Sequence, residues 1–87
     1  MFSPGQIVIS KSGRDARKMF IVTGVCSDYL YLVDGDLRKL SNPKKKKIKH
    51  VQIVNYIDED LKEKLENNLY LLDADFRKAL SKYKLVE

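Results

Sequence analysis

The sequence predicts a mainly β protein with an α appendage: a small five-stranded barrel over residues 1–54, followed by two short helices in residues 55–87. Three observations predict it. Short β-branched and aromatic runs, broken by tight-turn signals, fill the first 54 residues. After Tyr56 the apolar period changes from two to about four. The charge changes with it: residues 1–54 hold 11 Lys/Arg against four Asp, a net of +7, and residues 55–87 hold six basic and eight acidic side chains, a net of −2, summing to the chain's +5.

The first expected strand is Gln6–Lys11, opened by Pro4-Gly5. The second is Lys18–Val25, beyond the polar loop Ser12-Gly13-Arg14-Asp15-Ala16-Arg17. The third is Tyr29–Val33, after the turn Cys26-Ser27-Asp28. Asp34-Gly35 is a strong two-residue hairpin signal, and it predicts Asp36–Leu40 as the fourth strand. The fifth is His50–Val54, with Val51 and Ile53 on one face and His50, Gln52 and Val54 on the other. Alternation points Phe20, Val22, Leu30 and Leu32 inward, while Ile48, out of phase with the last strand, anchors the lysine-rich loop before it.

In the tail, Ile57, Leu61, Leu65 and Leu69 form a helical stripe. Asp58, Glu59 and Asp60 favour its positive end, and Asp58–Lys62 and Asp60–Lys64 are i,i+4 pairs. Asn67-Asn68 is the expected stop. Asp73 is the expected cap of a second helix that carries Phe76, Ala79, Leu80 and Tyr83 on one face.

Composition narrows the function. The single Cys26 forms no internal disulfide and favours a reducing compartment. The start, Met1-Phe2-Ser3-Pro4-Gly5, does not read as a signal peptide, and no run is long enough to cross a membrane, so a soluble cytoplasmic protein without a membrane partner is expected. One His and one Cys do not make an ordinary transition-metal site, and there is no glycine-rich nucleotide loop. No cofactor and no enzymatic activity are expected. Asp34 and Asp36 flank a turn glycine, which accounts for both.

The thirteen residues Arg38–His50 hold seven of the 17 Lys and Arg and no acid. Pro43 starts Lys44 onward in an extended form. Stretched, Lys44–Lys49 reaches roughly 20 Å, enough to follow several phosphates. Such a run is otherwise a solvated mobile loop. Arg38, Lys39, Lys44, Lys45, Lys46, Lys47, Lys49 and His50 are therefore candidate nucleic-acid contacts. Lysine is a point charge, so recognition of shape and charge, as in folded RNA, is expected more than base reading. A second basic locus is Lys11, Gly13, Arg14, Arg17 and Lys18, where Gly13 permits close backbone approach and Arg14 a bidentate phosphate contact. It reads equally as a connecting loop in which Asp15 bonds its own backbone. Tyr29 and Tyr31, opposite Leu30 and Leu32, are expected beneath the helices rather than stacked on bases.

Gly5-Gln6-Ile7-Val8-Ile9-Ser10-Lys11-Ser12-Gly13-Arg14-Asp15, followed by Phe20-Ile21-Val22-Thr23-Gly24-Val25, resembles the KOW motif. The continuation Leu37–Leu40 and Pro43–Val51 looks like that of small bacterial KOW-domain RNA-binding proteins. These are similar in turn to KOW-bearing large-subunit ribosomal proteins of archaea and eukaryotes. The resemblance covers residues 4–54 and is looser at Phe76-Arg77-Lys78-Ala79-Leu80. It implies an SH3-like barrel that binds RNA, with ribosomal RNA of the large subunit first among candidates, through the loop around Gly13 and Arg14. Many such motifs have a second glycine after the basic residue that follows Asp; Ala16-Arg17-Lys18 has none. The expected function is non-enzymatic RNA binding. The alternative is a protein-interaction module using the small barrel and the amphipathic helices, and duplex DNA is a lesser ligand.

Overall fold

Strand alternation in the first half of the chain produces a sheet with two buried faces. The computed structural model describes residues 2–86. Its elements are β1 (Gln6–Ser10), β2 (Met19–Cys26), β3 (Tyr29–Val33), β4 (Lys44–Lys47), a 3-10 turn (Ile48–His50), β5 (Val51–Ile57), α1 (Glu59–Glu66) and α2 (Asp73–Val86). The strands form one antiparallel sheet in the order β4-β3-β2-β1-β5. The sheet is not closed, and β4 and β5 are its two edges.

One face gathers Val8, Phe20, Val22, Leu30, Leu32 and Val51, with Phe2 and Ile48 against them. The inward positions expected for Phe20, Val22, Leu30 and Leu32 are thus observed, and Ile48 anchors the end of the lysine run. The other face presents Ile7, Ile21 and Val33 to Leu61, Phe76, Ala79 and Leu80 of the helices. Burying a side chain of this size contributes roughly 1.5–3 kcal/mol. A small sheet open at its edges therefore depends on the helices for about half of its core. At the bulge between Gln6 and Val8 the buried Gln6 amide donates to the Tyr56 carbonyl at 3.0 Å and to that of Val54, satisfying groups that the shifted ladder leaves open.

The fourth strand differs from the expectation. Asp34-Gly35 does turn the chain, with Gly35 at φ +80 and the amides of Asp34 and Gly35 both donating to the Arg38 carbonyl at 3.0 Å. The turn closes a local loop rather than a hairpin. Asp34 caps that loop by accepting from the amides of Asp36 and Arg38, each at 2.9 Å. Asp36–Leu40 offers little apolar surface on either side of a strand, and Leu37 is 73 % exposed. β3 pairs instead with Lys44–Lys47, so the lysine run is itself the edge strand.

The helices begin and end where their chemistry places them. Asp58 caps α1 by accepting from the Leu61 amide at 3.0 Å, which takes it out of the expected pair with Lys62, while Asp60 and Lys64 pair at 3.2 Å. Asn67 ends the helix and Asn68 follows at φ 53. Ile57 lies in β5 and Leu69 is half exposed, so the stripe is shorter than its spacing implied. Asp73 does not cap its own helix: its carboxylate accepts from the Leu40 amide at 2.8 Å and ties α2 to the loop before β4.

Candidate nucleic-acid interface

A strand sends alternate side chains to opposite faces, and this divides the lysine run in two. Lys44 and Lys46 stand opposite Leu32 and Leu30 on the inner face, and Lys45 and Lys47 stand opposite Tyr31 and Tyr29 on the outer one. On the inner side both lysines meet Asp15 from the β1–β2 loop. Lys46 Nζ donates to Asp15 Oδ1 at 2.9 Å and to the Ser12 carbonyl at 2.8 Å. Lys44 Nζ lies 3.4 Å from Asp15 Oδ2, and the Ser10 hydroxyl donates to Oδ1 at 2.9 Å. Asp15 and Lys46 are each only 8 % exposed. Lys46 is thus withdrawn from any external polyanion, and Lys44 is partly neutralised. These are the two corrections to the expected ribbon of free ammonium groups.

Burial pushes the Asp15 carboxyl up, but the hydrogen bonds from Lys46 and Ser10, with the charges of Lys46 and Lys44, outweigh it and hold the group at about 2 against an ordinary 3.8. A lowered folded value means that the stabilisation is present above pH 3.8 and is lost as pH falls towards 2. Comparing urea unfolding of the wild type and Asp15→Asn from pH 6 to pH 2 tests this. The stability gap is expected to shrink by about 2 kcal/mol over the acid limb. A gap that stays constant counts against the ion pair.

The remaining basic residues fall into groups. Arg14, Lys18, Arg38 and Lys44 line a cleft of about 300 Å³, with Asp15, Phe20, Asp34 and Leu37 completing its wall. Two loci separated by some twenty residues of sequence therefore meet. Among the described residues no carboxylate lies within ion-pair distance of Arg14, Lys18 or Arg38. Lys11, exposed, donates its amide to the His50 carbonyl at 2.8 Å, which brings it beside exposed Lys49 and half-buried His50. Lys39 is exposed on the loop before β4. Exposed Arg17 shares with Lys18 a second cleft, where α2 adds Arg77 and Lys84. Arg77 stands in the second turn of α2 and Lys84 in its last turn, and no local pattern marks either as part of a site.

Gly13 sits at φ +81, a position a side chain rarely adopts. The loop lacks a second glycine but still holds a second left-handed residue, Arg17 at φ 72. Such a conformation costs a side-chain-bearing residue roughly 1–2 kcal/mol. Arg17→Gly is therefore expected to stabilise the fold by about 1 kcal/mol, seen as a higher thermal midpoint. A lower midpoint would show that the Arg17 stem packs more strongly than its backbone is strained.

On the outer face, Val33 of β3 packs in the cluster with the helices. Tyr29 and Tyr31 are half-buried but lie outside the helix-packed cluster, which corrects the expected burial beneath the tail. Lys45 Nζ lies 4.6 Å from the centre of the Tyr29 ring. Lysines on an edge strand also discourage pairing with other chains, which is a sufficient structural reason for Lys45 and Lys47 by itself. Among the described residues no three His, Cys, Asp or Glu side chains gather where they could hold a metal ion, and no helix is long and apolar enough to cross a membrane. No protein-family model matches the chain, and no curated protein is significantly similar to it.

Proposed function

We propose that the protein is a non-enzymatic, cytoplasmic RNA-binding module of the SH3-like KOW kind, docking on structured RNA, with ribosomal RNA of the large subunit as the first candidate. The observation that carries this reading is the convergence of Arg14, Lys18 and Arg38, without acidic partners among the described residues, on one cleft beside β4. The KOW-like residues 4–54 support it. Phosphates entering the cleft would meet two guanidinium forks and an ammonium group, a set suited to position a backbone without reading its bases.

Affinity for a folded RNA measured against salt tests the proposal. Each phosphate contact contributes roughly 0.7–0.9 to the slope of log affinity on log salt. The triple variant Arg14→Gln, Lys18→Gln, Arg38→Gln is expected to flatten that slope by about 2–3. Lys46→Gln leaves the slope of the folded fraction unchanged. A triple variant with the wild-type slope removes the cleft from the interface. Sedimentation of cell extract at low and high salt then asks whether large ribosomal subunits are the partner.

A second reading, docking of a protein on the helical tail, is favoured by one feature. Leu69, Tyr70 and Leu72, between α1 and α2, are 53, 84 and 51 % exposed. Co-isolation of a polypeptide after nuclease treatment, lost in a Tyr70→Ser variant that still binds RNA, would support it.

A further inference from the structure

The outer face of β3 and β4 holds two tyrosines and two lysines for which the cleft has no use. We infer that it is a stacking platform for unpaired nucleotides, formed by Tyr29 and Tyr31 with Lys45 and Lys47 gripping the adjoining phosphates. The inference rests on the RNA-binding reading and adds to it the kind of RNA: the segment crossing this face is single-stranded.

Four observations support it. Tyr31 pairs with Lys45 and Tyr29 with Lys47 across the strands, and the Lys45 ammonium group lies over the Tyr29 ring, so rings and cations share one face. Both lysines are exposed, and neither has a carboxylate within ion-pair distance among the described residues. On the β2 side Tyr31 faces Gly24, which has no side chain to lie over the ring. Residues two apart on a strand lie about 6.6 Å from each other, close to twice the roughly 3.4 Å rise of a stacked strand. Bases on the two rings therefore fit a chain opened by about one ring thickness. An RNA duplex hides its base faces and gains nothing from the rings.

The contact of Lys45 with Tyr29 does not block this use. An exposed cation–π contact of that kind is weaker than the stacking of a base on an aromatic ring, and a phosphate gives the displaced ammonium group a better partner. β4 is an edge strand whose inner face borders the cleft through Lys44, so one RNA chain crossing that edge reaches both places. An acidic peptide would also satisfy the lysines, but it would leave both ring faces without a flat partner.

The test measures binding of a single-stranded oligouridylate and of a blunt RNA duplex of equal length, at one fixed salt, by fluorescence anisotropy. Tyr29→Leu and Tyr31→Leu keep apolar bulk on the half-buried face, and the Phe variants keep the ring. Each Leu substitution is expected to weaken the single strand about ten-fold, to leave the duplex within two-fold, and to be rescued by Phe. Leu variants that bind the single strand like the wild type overturn the platform and leave the RNA reading intact. Wild-type protein that binds neither RNA overturns the RNA reading itself. Concentration-dependent dimers abolished by Lys45→Glu would place a second copy on this edge and also overturn the platform.

Discussion

Lys46→Ala is expected to lower the unfolding free energy by about 3–5 kcal/mol, whereas Lys47→Ala, one position along, shifts it by less than about 0.5 kcal/mol. The two residues share chemistry and neighbourhood but not direction. Removing Lys46 leaves the buried Asp15 with Lys44 at 3.4 Å and the Ser10 hydroxyl in place of its closest cation, and it takes the donor from the Ser12 carbonyl. It also releases the tie that fixes the free edge of the sheet to the β1–β2 loop, 31 positions away in sequence. A domain of this size has a total stability of roughly 5–10 kcal/mol, so a large part of the unfolding transition moves. Urea unfolding of the two variants under one condition is the check. Adding Asp15→Ala to Lys46→Met is expected to restore part of the loss, because removing both charges ends the uncompensated burial. Equal stabilities for Lys46→Ala and Lys47→Ala would mean that both lysines face solvent.

Gly35→Ala is the other substitution with a large expected effect, a loss of about 3 kcal/mol or more through left-handed strain and overpacking together. Gly35 is at φ +80, and a Cβ there would sit 2.2 Å from the Asp73 carbonyl oxygen, a backbone atom that cannot move without moving α2. Arg77 donates to the Gly35 carbonyl and Asp73 accepts from the Leu40 amide, so this loop is the berth of the helix start. Displacing it loosens Phe76, Ala79 and Leu80 from Ile7, Ile21 and Val33. Amide exchange is expected to rise across α2 before it rises in β1 and β2. Uniform exchange, with wild-type stability, would show that the helix is not seated on Gly35.

Much of the scaffold was legible in the residues because its causes are local. β-branched alternation marked β1, β2 and β3 to within a residue or two, and Asn67-Asn68 marked the end of α1. The lysine run was not legible as a strand. Lysine has little intrinsic preference for a pleated sheet, and what makes Lys44–Lys47 a strand is its ladder to β3 and an acid from a distant loop. Asp34-Gly35 failed for the opposite reason. Its turn chemistry is real, but a hairpin also needs a following strand with something to bury, and Asp36–Leu40 has little.

The amino-acid sequence alone settled the first three strands, the helical tail and the separation of positive from negative charge, because periodicity and composition act over a few neighbouring residues. Only the tertiary structure decided which cations are spent internally and which are open to a ligand. That depends on where Asp15 lies relative to β4, and a contact across 31 positions leaves no mark on the local pattern of either segment.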